Sequence, residues 1–210
     1  MKTLLVIGGS STALEIRECA GIFYKDHFDA IYNMIGDNEE SSLTNILHDS
    51  ELDSFIASHD VAYIIGFTKQ KLRKLFNEKL VACQSVSIIH PTAFISPSAK
   101  IGEGSYVGAT AVVSSNAIVG KRCIVNIGVS IGHDALVGDD CIFNPGARIS
   151  GNCHIGARTL FGANSFLFQG RRVGEDCVID ALSYIDRDIE DKQLCTSNVV
   201  GMKVYKNRIF

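Results

Sequence analysis

From Ile95 onward an apolar residue recurs at every sixth position. Positions 95, 101, 107, 113, 119, 125, 131, 137, 143, 149, 155, 161, 167, 173, 179 and 185 are all Ile, Val, Leu or Phe. The next residue is glycine at eight of these places, from Gly102 to Gly174, and the residue four places on is small at most, as at Ala99, Ser105, Ala111, Cys123 and Ala147. A helix would repeat its apolar face every 3.6 residues and a half-buried strand every two, so neither element alone yields a strict six. A solenoid of short strands does: one aliphatic side chain per hexapeptide points inward, the glycine occupies a corner where a Cβ would collide, and the small residue fits what remains of a narrow bore. Three hexapeptides per turn predict a parallel β-helix of about five coils over residues 95–190, stacked at ~4.8 Å.

Residues 1–89 have a different rhythm. Thr3 to Ile7 is an apolar strand ending at Gly8-Gly9-Ser10-Ser11, and Thr12 to Tyr24 has helical spacing. Asp29 to Ile35 and Val61 to Ile65 read as further strands, Lys69 to Leu80 as an amphipathic helix, and Val86 to Ile89 as a fourth strand. This alternation predicts a small parallel α/β sheet, with His90-Pro91 as the junction into the solenoid. The division is residues 1–90 and 91–210.

Composition narrows the function classes. The net charge of -3, from 20 basic and 23 acidic side chains, gives no overall field for nucleic acid or an anionic membrane. No apolar run approaches the roughly 18 residues of a membrane span, and Thr3 to Ile7 lacks the features of a signal peptide, so a cytoplasmic location is expected. Seven cysteines without CxxC spacing predict reduced thiols. Cys123, Cys141, Cys153 and Cys177 fall in the small slot, where cysteine acts as a compact hydrophobe.

Ligands of open parallel sheets settle at the carboxyl ends of the strands, here Gly8 to Thr12, Asp37-Asn38 and Gly66. Either these turns hold a nucleotide, with backbone N–H groups on a phosphate and Asp37 on a nucleoside, or they are tight turns with an N-cap. In the solenoid, His133 takes an outward slot and is followed by Asp134. A neutral imidazole accepts a proton well when its other nitrogen is anchored, and an adjacent carboxylate anchors it and raises basicity; the alternative is a solvated surface pair. Gly151 stands eighteen residues on, in the same slot one coil above, where its N–H would face a carbonyl beside His133. His90, His133 and His154 are not in register for zinc, and no metal is expected.

These motifs, with Gly36-Asp37-Asn38, Ile89-His90-Pro91-Thr92-Ala93, Pro145-Gly146-Ala147 and Gly151-Asn152, resemble the bacterial sugar O- and N-acetyltransferases of the hexapeptide superfamily, over Leu4 to about Asn198. The resemblance implies a Rossmann-like amino-terminal domain, a left-handed β-helix, a homotrimer and acetyl-CoA between neighbouring β-helices. It implies His133 as general base, Asp134 as its partner and Asn126 as an acceptor-placing residue. Gly151 would bind the thioester carbonyl, Ala163 and Ile142 would line the acetyl-CoA path, and Arg171 with Arg172 would either meet CoA phosphates or remain solvated. Ser10, Ser11, Thr12, Asp37, Asn38 and Gly66 would hold the sugar nucleotide. The chain departs from the relatives at Ser11-Thr12-Ala13 in place of Gly-His-Gly, at Ile142 in place of a histidine, and at Ser197 to Val200 in place of Asn-Pro-Ala-Lys. The expected reaction is N-acetylation of a nucleotide-linked amino sugar for a surface glycan. The alternatives are O-acetylation of a sialic-type sugar and a non-catalytic β-helix scaffold.

Overall fold

The computed structural model describes residues 2–196. Strand β1 (Lys2–Ile7) is central in a five-stranded sheet with β2 (Phe28–Ile35), β3 (Ile46–His48), β4 (Val61–Ile65) and β5 (Gln84–Ser85), in the order β3-β2-β1-β4-β5. Every pairing is parallel. Helices α1 (Ser11–Phe23), α2 (Leu52–Ser58) and α3 (Gln70–Lys79) complete this part. Strands β1 and β4 are continuously apolar because both faces are covered: Leu4 and Val6 pack towards Ala13 and Ile16, Leu5 and Ile7 towards Leu52, Phe55 and Phe76.

Two elements escaped the sequence pattern, β3 and α2, which are three and seven residues long within a polar stretch too short to show a period. The expected strand from Val86 to Ile89 divides. Val86 N–H still donates to Tyr63 of β4, but Ile88 N–H donates to Ser105, and Ile88–Ile89 pairs with Tyr106–Val107. The β-helix therefore begins at Ile88, before the His90-Pro91 junction.

The β-helix has parallel sheets of six, five and seven strands, more than the five coils expected because it also extends to Leu194–Cys195. Neighbouring strands pair eighteen residues apart, as Val113 with Ile131 and Ile131 with Ile149, which fits a left-handed β-helix of three hexapeptides per coil. The inward residues form one continuous core from Val107 to Ile185, with the Phe143 and Phe161 rings stacked at 5.4 Å. Burying each such ring stabilises the fold by about 1.5–3 kcal/mol. Cys123, Cys141, Cys153 and Cys177 are fully buried in the small slot, each within reach of a carbonyl of the next coil.

Where a glycine follows the inward residue, it is needed for space. A Cβ on Gly162 would stand 2.3 Å from the backbone nitrogen of Ala181. The left-handed backbone falls two residues later, at Asn116, Asp134, Asn152 and Asn164 among others, residue types that tolerate positive φ. The spacing breaks after Ile185: Val173 bridges Ile189 and Val178 pairs with Leu194, sixteen residues apart, so the last coil is two residues short.

The two parts share a packed joint. Tyr106, Ile124 and Ile142 point outward from one solenoid face but are buried against α1, in one cluster with Ala13, Ile16 and Cys19. Ile142 is 0% exposed, which corrects its reading as an outward residue on an acetyl-CoA path: the amino-terminal domain covers it. Tyr24 Oη ties the joint by donating to the Ile89 carbonyl at 2.9 Å.

Candidate active site

His133 occupies a corner between Ser130–Ile131 and Leu136–Val137. The left-handed turn of the next residue, Asp134 at φ 58°, folds its carboxylate back against the ring. Nδ1–H of His133 donates to Oδ2 of Asp134 at 2.8 Å, which leaves Nε2 free to accept a proton. Oδ1 of Asp134 accepts from Nδ2 of Asn116 at 3.0 Å. Hydrogen bonds from His133 and then Asn116 hold the Asp134 carboxyl below the usual carboxylate range, so it stays ionised through neutral pH.

Gly151 lies one coil above, as its spacing predicts, and buried. A Cβ there would stand 2.4 Å from Nε2 of His133, so the bare glycine is the surface over which the ring lies. Coil stacking brings the two together, since Asn152 N–H donates to the His133 carbonyl at 2.8 Å. Asn116 is a site residue that the sequence reading missed. Its signal was periodic: an Asn eighteen residues before Asp134 in the same corner slot. Asn116→Ala is expected to lower kcat about 2- to 10-fold with little change in KM, the worth of one ordinary, solvent-exposed hydrogen bond; steady-state kinetics measure it.

The remaining solenoid residues do not converge on His133 within one chain. Asn126 lies at the preceding corner, 7% exposed, with Oδ1 accepting from the Ile127 N–H at 2.7 Å. Ala163 lies at that same corner two coils on, after Leu160–Phe161. Arg171 sits in the small slot and turns outward as expected. Nη1 lies 3.9 Å from Asp188 in the shortened coil, while Nε is buried without a partner. The side chain is 39% exposed, so the guanidinium faces solvent with a carboxylate beside it.

At the carboxyl ends of β1, β2 and β4 a cavity of about 720 Å³ opens. Ser10, Ser11 and Thr12 line it with Glu39, Phe67 and Lys69. Ser10 is the N-cap of α1, its Oγ accepting from Ala13 N–H at 3.4 Å and donating to the Gly66 carbonyl at 2.7 Å. Gly66 is required because a Cβ would stand 2.6 Å from Ala13 Cα. Asp37 and Asn38 line the neighbouring hollow instead. Oδ1 of Asp37 accepts the Ser50 N–H at 2.9 Å, and that bond keeps its carboxyl below the usual range. The cavity carboxylates are therefore Glu39, the residue directly after Gly36-Asp37-Asn38, and Asp49, and not Asp37, which is spent on a turn.

His90, His133 and His154 stand apart, and among the described residues no three His, Cys, Asp or Glu side chains gather as a metal site. Among the described residues, no helix is long and apolar enough to cross a membrane. Ser197 to Val200 lie outside the described residues.

The chain is an acyltransferase, and its stacked β-helix presents a histidine braced by a carboxylate over a bare glycine. The family model for the hexapeptide repeat of succinyl-transferase matches residues 114–139, 128–157 and 153–187. More particularly, the chain is similar to the acetyltransferase domain of PglB from Neisseria gonorrhoeae, at 27% identity over 92% of this chain and 96% of that one, TM-score 0.83. A perosamine N-acetyltransferase variant from Caulobacter crescentus, solved with CoA and GDP-perosamine, shares the fold at 23% identity over 92% of this chain and 93% of that one, TM-score 0.84. WeeI from Acinetobacter baumannii shares it at 20% identity over 94% of this chain and 98% of that one, TM-score 0.80. No curated protein matches the chain at a significant level.

Proposed function

We propose that the protein transfers the acetyl group of acetyl-CoA to the amine of a nucleotide-linked amino sugar, in the cytoplasm, as a step towards a surface glycan. The observation that carries this reading is Nε2 of His133 lying over Gly151 while Nδ1–H is held at 2.8 Å by Asp134. In the step proposed, the acceptor nitrogen attacks the thioester carbonyl as Nε2 takes its proton. Asp134 faces the imidazolium that forms, and Gly151 N–H donates to the carbonyl oxygen as charge gathers there. The C–S bond then breaks, and CoA leaves as the thiol with the proton from His133. Attack is direct, because the solenoid cysteines at 123, 141, 153 and 177 are buried in the bore and offer no nucleophile beside His133.

The co-substrates are read from relatives: the PglB domain was solved in complex with acetyl coenzyme A, and the Caulobacter enzyme with CoA and GDP-perosamine. The Rossmann-like residues 1–90 would take the sugar nucleotide in the cavity at Ser10, Ser11 and Thr12, and residues 91–210 the acetyl-CoA. The scatter of Asn126, Ala163 and Gly151 over separate corners supports a homotrimer. There the Asn126 and Ala163 corner of one copy would meet the His133 and Gly151 corner of the next and close a CoA groove that one copy cannot form. Exposed Ile127 and Leu136 then gain cover.

Incubation with acetyl-CoA and a panel of UDP-, GDP-, dTDP- and CMP-linked sugars, read by mass spectrometry, is expected to show acetyl gain on an amino sugar. Acetyl gain on a hydroxyl would move the assignment to O-acetylation. No transfer, together with no binding of acetyl-CoA at millimolar concentration, would overturn it in favour of a scaffold. A monomeric mass with full activity would remove the trimer.

A further inference from the structure

A buried arginine spans the joint between the two parts of the chain. Arg73, on α3, is 1% exposed, and a charge so deeply placed is tolerated only where carbonyls and carboxylates receive its donors. Nη1 donates to the carbonyl of Phe67 at 2.9 Å and to that of Ile65 at 3.4 Å. Nη2 donates to the carbonyl of Arg122, in a solenoid corner, and lies 3.7 Å from Oδ1 of Asp140 in the next coil of that corner. The corner is itself braced: Arg122 grips Asp140 with Nη2 at 2.7 Å and Nε at 3.1 Å. Gln70 of α3 adds a bond from Nε2 to the Asp140 carbonyl at 2.8 Å.

The two carbonyls on the other side are those of the residues flanking Gly66, at the mouth of the amino-terminal cavity. Phe67 lines that cavity, and its ring packs so close to Gly8 that a Cβ there would stand 3.0 Å from it. One planar fork thus joins the cavity wall to the solenoid corner. A lysine ammonium, a point charge on a flexible stem, would not reach both sides. Nε of Arg73 is buried without a partner, so the contacts run through the two terminal nitrogens, which face the two sides.

We propose that Arg73 is a positioning residue through which the solenoid sets the shape of the nucleotide cavity: the Arg122–Asp140 corner holds the guanidinium, and the guanidinium holds the Ile65–Phe67 backbone. The inference rests on the reading of that cavity as the nucleotide pocket. It makes the β-helix part of the nucleotide cavity, which no solenoid side chain lines.

The test compares the full-length protein with Arg73→Lys and Asp140→Asn. Hydrogen exchange without ligand is expected to show amides 66–69 opening about tenfold faster in Arg73→Lys, with the remaining amides near wild type. Calorimetric titration with UDP, GDP and dTDP is expected to show the nucleotide that the wild type binds held about tenfold more weakly, with CoA affinity within about twofold. Asp140→Asn, which keeps the carbonyl contacts, is expected to fall between. Uniformly faster exchange with unchanged nucleotide affinity would mean that Arg73 only stabilises the joint and would overturn the proposal. If the wild type binds none of the three nucleotides, the pocket reading fails on its own, and unchanged exchange at 66–69 would still dismiss Arg73 as the holder of that wall.

Discussion

His133→Ala is expected to lower kcat by about 10²–10⁴-fold, the range for loss of one general base, while acetyl-CoA still binds. The fold gives no reason for collateral damage. The His133 side chain is 53% exposed, and among the described residues its side chain bonds to Asp134. Truncation therefore opens no core cavity, and the melting temperature should stay within about 2 °C of wild type, as for an ordinary surface change. Asp134→Asn is the informative partner. It keeps the side-chain size but can present its amide N–H to Nδ1, which favours the tautomer with the proton on Nε2, the wrong nitrogen for a base. A loss approaching that of His133→Ala would then follow from tautomer alone. Near-normal turnover in the alanine variant would take His133 out of the mechanism.

What the sequence revealed, and what it hid, follows from how far each feature is periodic. The hexapeptide rule is local and repeats from Ile95 to Ile185, so the β-helix, its small-slot cysteines and its crowded glycines could be read directly. The same period placed Gly151 over His133, because a coil is eighteen residues and stacking converts that number into contact. Asn116 was missed only because the reading looked upward from His133 and not downward from Asp134. Ile142 failed for a different reason. The rule says which residues leave the bore, not what waits outside, and here α1 covers the face that carries Tyr106, Ile124 and Ile142. In the amino-terminal part nothing repeats. The strands showed through their apolar runs, but whether Asp37 or Glu39 faces the cavity depends on one turn near Ser50 that has no period. Arg73 was invisible in the same way: a basic residue on a charged helix reads as solvated until the Arg122–Asp140 corner is seen against it.

Two glycines of the His133 corner should respond oppositely to the same added methyl group. On Gly132 a Cβ would stand 2.5 Å from the backbone nitrogen of Gly151 and 2.6 Å from the carbonyl carbon of Ser150. Those atoms belong to the next coil, whose spacing is fixed by the ladder on either side, so the clash can be relieved only by parting coils. Gly132→Ala is expected to cost about 1–3 kcal/mol or somewhat more, as overpacking does, read as an earlier midpoint in denaturant. On Gly151 the three atoms nearest the Cβ all belong to the imidazole, Nε2 at 2.4 Å and Cε1 at 2.5 Å among them. A half-exposed ring can swing away, so Gly151→Ala should shift stability by less than about 0.5 kcal/mol, as most surface changes do. The ring that swings away is the proposed base, however, and its bond to Asp134 goes with it. The backbone N–H survives the substitution, so any loss of turnover reports the displaced imidazole and not a missing carbonyl donor. A misplacement of about 1 Å costs on the order of 10²-fold in rate, and Gly151→Ala is expected to show that loss in kcat with its denaturation midpoint unchanged. A Gly151→Ala protein as active as wild type would mean that the reacting atoms do not meet where Nε2 now lies.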